Sequence, residues 1–184
     1  MIPVVITTAR LVLDQPTPSD CDLIVEYCQD PLFEKFLTTP WPYQRRNAET
    51  FVNDFVPHGW ASDSEYSWAI RRAAGSEVMG VFSWRASGRD IGFWLGGVHR
   101  GNGYMAEAAV AVTDWLFGEL GIESVVWESV VGNTASASTA MKGGFRYQGE
   151  RPSLRVSRDG THSPHWHAVL DRGDSRKPGG GWPR

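Results

Sequence analysis

The clearest hydrophobic periodicity runs from Tyr104 to Phe117. There Met105, Ala108, Ala109, Val112, Trp115 and Leu116 recur at i, i+3, i+4, i+7, i+10 and i+11. That spacing puts them on one stripe of an amphipathic helix, and Gly118 and Gly121 bracket its exit. Ile122–Val131 is rich in β-branched residues and predicts a buried strand. Earlier, Tyr66–Ala73 and Glu77–Arg85 flank the turn Ala74-Gly75-Ser76, and Asp90–Leu95 follows a second turn. These three runs predict an antiparallel meander.

Thr8–Leu13 reads as a first strand and Asp20–Gln29 as a helix stopped before Pro31. Leu32–Tyr43 shows no regular period. Asn47 is placed to cap a helix over Ala48–Val56 that Pro57 and Gly59 end. Thr134–Lys142 predicts a short helix with glycines behind it, and Phe145–Arg151 and His165–Leu170 predict two closing strands. The order implies a mixed α/β (α+β) domain with a mostly antiparallel sheet flanked by helices. The strand–helix–strand unit from Ile91 to Val130 should be parallel, with a right-handed crossover.

With 184 residues, 41% of them hydrophobic, the chain suits one domain with one real core. We place that domain at 1–171 and read the polar, Gly/Pro-rich stretch 172–184 as a disordered tail. A formal net charge of −3 disfavours nucleic-acid binding by bulk electrostatics. No apolar run approaches the roughly 20 residues of a membrane span, and the first residues lack a signal-peptide plan. Cys21 and Cys28 lie seven apart on one predicted helix, two turns apart along its axis, which prevents a disulfide. Reduced thiols fit a cytoplasmic protein, acting as monomer or homodimer.

The chemistry concentrates around His99-Arg100-Gly101-Asn102-Gly103, a glycine turn between a strand and the best helix. Glycines let the backbone come close to a ligand, and a helix N-terminus presents free N–H groups, so the turn is a candidate anion site. It is neither a dinucleotide fingerprint, since Ala106 stands at the third glycine position, nor a P-loop, since no GK[ST] follows.

Gly101-Asn102-Gly103-Tyr104-Met105-Ala106-Glu107-Ala108 resembles the acetyl-CoA motif of the GNAT acyltransferase superfamily, and more narrowly its RimJ/RimL branch. Thr8–Leu13 is similar to the opening strand of that branch and Ile91–Leu95 to its Ile-Gly-aromatic-Trp strand. Asn133-x-x-Ser136 followed by Lys142-x-Gly144-Phe145 is similar to its later signature. The resemblance implies acetyl-CoA as cofactor, with the turn Arg100, Gly101, Asn102, Gly103, Tyr104 and Met105 on the pyrophosphate. It implies that Phe93-Trp94-Leu95 splays from its neighbour and pairs with the pantetheine arm, that Asn133 bonds the arm, and that Ser136 protonates the departing thiolate. Val98 stands where the superfamily has Gln or Arg, and His99 and Arg100 are expected to supply that polarity.

The acceptor implied is a primary amine, which must lose a proton before it attacks. Glu128 and Asp90 are the candidate bases, with Glu65, His58 and Tyr66 near the expected acceptor pocket. Trp41, Tyr43, Trp60 and Trp68 are expected to line it. His162, His165 and His167 lack an acidic or thiol neighbour in sequence, so we expect exposed histidines and no metal. A protein or peptide N-terminal amine is the favoured acceptor. A small-molecule amine such as a polyamine or antibiotic, and a non-catalytic acyl-CoA sensor, stay open.

Overall fold

The computed structural model describes residues 1–183. Eight strands form one sheet: β1 (Ile6–Thr7), β2 (Val12–Asp14), β3 (Glu65–Arg71), β4 (Gly80–Arg85), β5 (Asp90–Leu95), β6 (Ser124–Val130), β7 (Arg146–Pro152) and β8 (Pro164–Asp171). Their order is β1-β2-β3-β4-β5-β6-β8-β7. The meander β3-β4-β5 is antiparallel, and β5 pairs with β6 in parallel, as the patterning predicts. The crossover between them carries α5 (Tyr104–Glu119), and α6 (Thr134–Lys142) follows β6.

The sheet buries both faces. On one, α5 and α6 cover Trp68, Phe82, Ile91 and Trp127, and Trp60, Tyr66, Trp84 and Trp115 join the same core. On the other, α1 (Cys21–Tyr27), α2 (Pro31–Phe36) and α3 (Arg45–Thr50) cover a smaller core around Ile24, Phe33, Val52 and Ala69. Cys21 and Cys28 are buried free thiols in that second core, and burial pushes Cys28 up to about 12. Arg71, 4% exposed, fixes the start of α1 to β3 by pairing with buried Asp20 at 2.6 Å and with Asp14 at 2.7 Å.

Four local expectations are corrected. Thr8–Leu13 is no single strand: the Thr8 hydroxyl accepts the Leu11 amide at 2.9 Å, turning the chain so that β1 and β2 pair as a hairpin. The irregular stretch contains α2, started by Asp30, whose carboxylate caps the Leu32 amide at 2.9 Å ahead of Pro31 at the first helical position. Pro57 does not end the second helix. A π-helical turn, Phe51–Phe55, lets Val56 N–H reach the Phe51 carbonyl, and α4 (Val56–Ala61) continues with Pro57 in its first turn.

The fourth is the stretch 172–184. Arg176 donates to Thr113 Oγ1 at 2.9 Å and to the Gly143 carbonyl at 3.0 Å and pairs with Asp114. Trp182 packs on Trp127 and Tyr147, with ring centroids 5.6 and 5.4 Å away. One arginine and one tryptophan seat a segment whose composition is otherwise that of a solvated tail. Arg184 lies outside the described residues.

Candidate active site

The parallel pairing of β5 and β6 ends almost as soon as it starts. Asp90 faces Val126 and Ile91 faces Trp127, and the two strands then run on without further pairing to each other. Backbone parity shows what the parting leaves open. The Arg89 carbonyl points to β6, accepting from Val126, while the Gly96 amide points to the other side, donating to Met79. Phe93 and Leu95 share the parity of Arg89, so their peptide groups face the gap. The Leu95 carbonyl accepts Arg100 Nε at 3.0 Å.

At the wide end of the gap stands the N-terminus of α5. Its N-cap is Gly103, with φ +76, which has no side chain to cap it. The first amides of the helix therefore point outward without an internal acceptor, in the field of the helix dipole. Gly103 is required by torsion more than by space, because a Cβ placed there would meet Arg10 Nη2 at an ordinary 3.6 Å. Substituting Gly103→Val forces φ negative and turns the amides away. We expect binding of a pyrophosphate-bearing ligand to weaken about tenfold, near 1.4 kcal/mol, and wild-type affinity by calorimetry would refute the assignment.

The β1–β2 turn braces this loop. Thr8 Oγ1 donates to Glu107 at 2.6 Å, Arg10 Nε donates to the same carboxylate at 2.6 Å, and Arg10 Nη1 donates to the Asn102 carbonyl at 3.1 Å. Burial opposes the charge on Glu107, but these donors hold its carboxyl below the usual range. Arg10 and Arg72 also stack on Tyr104.

A cavity of about 610 Å³ follows the gap and is lined by residues from both faces of the sheet. Phe93, Trp94, Leu95, Arg100, Gly101, Gly103, Tyr104, Met105, Glu128, Asn133 and Ser136 all line it. Two expected site residues do not. Asn102 is turned into its own loop, its amide nitrogen on the carbonyls of His99 and Arg100. Asp90 is wholly buried beneath the floor. Arg100 and His99 are already committed as well: Arg100 pairs with Asp30 at 2.7 Å and His99 Nε2 meets the Tyr27 hydroxyl at 3.0 Å. Val98, 80% exposed, contributes nothing polar.

On the α6 side of the gap, Asn133 Oδ1 caps the Ser136 amide at 3.2 Å. Trp127 Nε1 donates to Ser136 Oγ at 3.1 Å. That bond occupies the oxygen as acceptor and leaves the hydroxyl proton free to be given away.

The opposite face is polar at the gap because strand parity aligns Glu65, Arg85, Asp90, Glu128, His165 and His167 across the sheet. Asp90 takes Arg85 Nε at 2.9 Å and Arg155 Nη2 at 3.1 Å. Burial raises its pKa, and the two guanidinium groups outweigh that and hold it below the usual carboxylate range. A carboxylate so paired is an anchor for two arginines, which corrects its nomination as base. Arg85 lies flat over Gly92, where a Cβ would come within 2.7 Å of Nη1. Glu128 lines the cavity and accepts the Leu154 amide at 2.7 Å.

The aromatic wall expected for the acceptor is replaced. Trp60 and Trp68 lie in the large core, and Tyr43 and Trp41 belong to the second one. The cavity is lined here instead by Leu32, Phe33, Phe36 and Leu37 from and after α2. Tyr66 is buried with its hydroxyl on Asp63, while His58 and Glu65 line a smaller hollow of about 280 Å³ beyond Arg85 and Arg155. His165 and His167 are buried, not exposed, and Glu128 supplies the acidic neighbour that the linear sequence hides.

A sheet parted beside an uncapped helix N-terminus defines a class of protein suited to an extended ligand with an anionic end. The family comparison gives this class its name. The family model of the acetyltransferase (GNAT) domain matches residues 10–146, and the chain belongs to that family of acetyl-transferring enzymes. A curated relative, the uncharacterized N-acetyltransferase p20 of Bacillus licheniformis, is 27% identical over 150 residues, 77% of this chain and 82% of that protein. Two similar structures share the fold at 18% identity. RimL, a ribosomal L7/L12 alpha-N-protein acetyltransferase in complex with coenzyme A, aligns with TM-score 0.76 over 91% of this chain and 98% of its own. The microcin C7 self-immunity acetyltransferase MccE, in complex with acetyl-CoA and AMP, aligns with TM-score 0.74 over 90% and 94%.

Proposed function

We propose that the chain is an N-acetyltransferase that uses acetyl-CoA to acetylate a primary amine, the N-terminal amine of a peptide or protein. The observation that carries the reading is the parted strand pair, with Ser136 on one side of the sheet and Glu128 on the other. The gap suits the cofactor: outward amides of α5 for the pyrophosphate, the unpaired edge of β5 for the amide-containing arm. When bound, acetyl-CoA supplies an activated acyl group on a thiol leaving group. The amides of Phe93 and Leu95 face the place where that acyl carbonyl would lie and stabilise negative charge on its oxygen. Glu128 takes a proton from the acceptor ammonium, and Ser136 gives one to the departing thiolate.

The peptide acceptor is supported by the second hollow, which shares Arg85 and Arg155 with the cavity and gives the acceptor chain somewhere to run. RimL acts on a protein N-terminus, and the similarity of fold agrees with that choice.

Calorimetric titration with acetyl-CoA and with S-acetyl-pantetheine, which lacks the pyrophosphate, is the first test. Saturable one-to-one binding of acetyl-CoA alone is expected. Thiol release should then be faster with short unblocked peptides than with polyamines. A folded protein that binds acetyl-CoA and releases no thiol with either class would instead be a sensor. Ser136→Ala is expected to lower kcat about tenfold, or 1.4 kcal/mol, with acetyl-CoA affinity nearly unchanged. Unchanged kcat would remove Ser136 as the acid.

A further inference from the structure

Beside Glu128, on the neighbouring strand and outside the cavity lining, lies an unexplained polar atom. His167 in β8 sits directly opposite Glu128 in β6, with 5% of its surface exposed. Its Nε2 is buried and has no hydrogen-bond partner among the described residues. Glu128 Oε2 lies 3.7 Å from it, beyond hydrogen-bonding distance. A buried unpaired ring nitrogen costs free energy that a closed hydrogen bond would recover. Closing it needs a movement of only about 0.8 Å, to the usual 2.9 Å. Glu128 meanwhile faces the cavity and is held from the loop by the Leu154 amide.

We propose that His167 is a positioning residue that holds, together with Glu128, the proton taken from the acceptor ammonium. The inference rests on Glu128 being the base in the proposed function. In the step, one N–H bond of the ammonium breaks and an O–H bond forms on Glu128. The freed electron pair on nitrogen is the nucleophile. The proton is then shared between Glu128 Oε2 and His167 Nε2 as the pair closes, and passes to solvent when product leaves. Nothing is oxidised or reduced.

A carboxylate alone would hold such a proton poorly, because the ordinary pKa of a carboxyl group lies far below that of an amine. An imidazole within reach lets the proton be shared between two groups, which then titrate as a pair. Three charged or titratable groups bear on His167: Glu128 from β6, Arg151 from β7 and His165 on its own strand. Burial pushes the imidazole below its ordinary value, with Arg151 and His165 acting the same way. Glu128 and the Pro152 carbonyl oppose them.

The first test reads the pair without turnover. Titration of the His167 ring resonances by NMR, in wild type and Glu128→Gln, should show the midpoint falling in the variant by about 1 pH unit, since a carboxylate stabilises imidazolium. A His167 midpoint that does not move overturns the proposal. The second test is kinetic. His167→Asn, and His167→Gln beside it, should lower kcat about 10- to 100-fold at neutral pH with the KM for acetyl-CoA unchanged. The deficit should shrink to within about threefold near pH 10, where an amine is largely neutral without help. An equal deficit at every pH marks a merely structural role and overturns the proposal. If wild type acetylates no amine, the proposed function fails, while the NMR comparison still decides whether the two residues share a proton.

Discussion

Glu128→Gln is expected to lower kcat/KM by about 100- to 1,000-fold at neutral pH, the range usual for removing a general base and equal to about 3–4 kcal/mol of barrier. Glutamine is the informative replacement. Its carbonyl oxygen still accepts the Leu154 amide, so the loop after β7 keeps its anchor, and only the proton-accepting charge is lost. Glu128 and Ser136 stand on opposite faces of the parted strands, so acetyl-CoA affinity should hold within about twofold. Stopped-flow or steady-state thiol release with a peptide acceptor measures the first quantity and calorimetry the second. A small effect would move the base to His165. That residue lines the same cavity, and its Nδ1 is tied to the Ser163 carbonyl at 3.0 Å, leaving Nε2 as the candidate proton acceptor.

His165 also illustrates which parts of the molecule are legible in a linear sequence. The α5 stripe, the β5 strand and the glycine turn are local patterns, and they appear where periodicity and turn chemistry put them. The face on which a strand residue lies is nearly as legible once its neighbours are known. The identity of the neighbour is not. Glu128 and His167 are far apart along the chain, and only the β6-β8 register makes them a pair. The same holds for Asp90 and Arg155, joined by a side chain reaching from the loop after β7.

The cavity wall supplied by α2 is hidden for another reason. Pro31, Pro40 and Pro42 break every period between them, so the two turns of α2 carry no signal strong enough to stand out. Its Leu32, Phe33 and Phe36 consequently read as scattered apolar residues, and the tryptophans, more conspicuous in the sequence, draw the expectation to themselves. Those tryptophans fill the core instead: Trp60 packs edge-on to Trp68 at 5.1 Å between centroids. Likewise Pro57 reads as a helix stop by the ordinary rule, which a π turn evades by shifting the hydrogen-bond ladder one residue.

Asp90→Asn is the variant expected to cost the most stability. Asp90 is fully buried, and its carboxylate is the shared partner of Arg85 and Arg155. An asparagine keeps the volume but removes the charge, and its amide nitrogen is a donor facing donors. Breaking a buried pair on one side leaves uncompensated charge, with typical losses of about 3–5 kcal/mol. The lower end, about 3 kcal/mol, applies because the Arg155 side chain is 38% exposed and water screens it. For a domain of this size that corresponds to a fall in Tm of about 6–12 °C. The pH dependence has a defined sign. The folded pKa of Asp90 lies below the unfolded value of about 3.9, so its contribution is complete above that pH and disappears as pH falls through the folded value. The Tm gap between wild type and Asp90→Asn should therefore be full at neutral pH and close in acid. Differential scanning calorimetry across that window checks it. A variant that kept its Tm and lost only turnover would return Asp90 to the candidate proton acceptors and leave the two arginines to be explained by the acceptor they face.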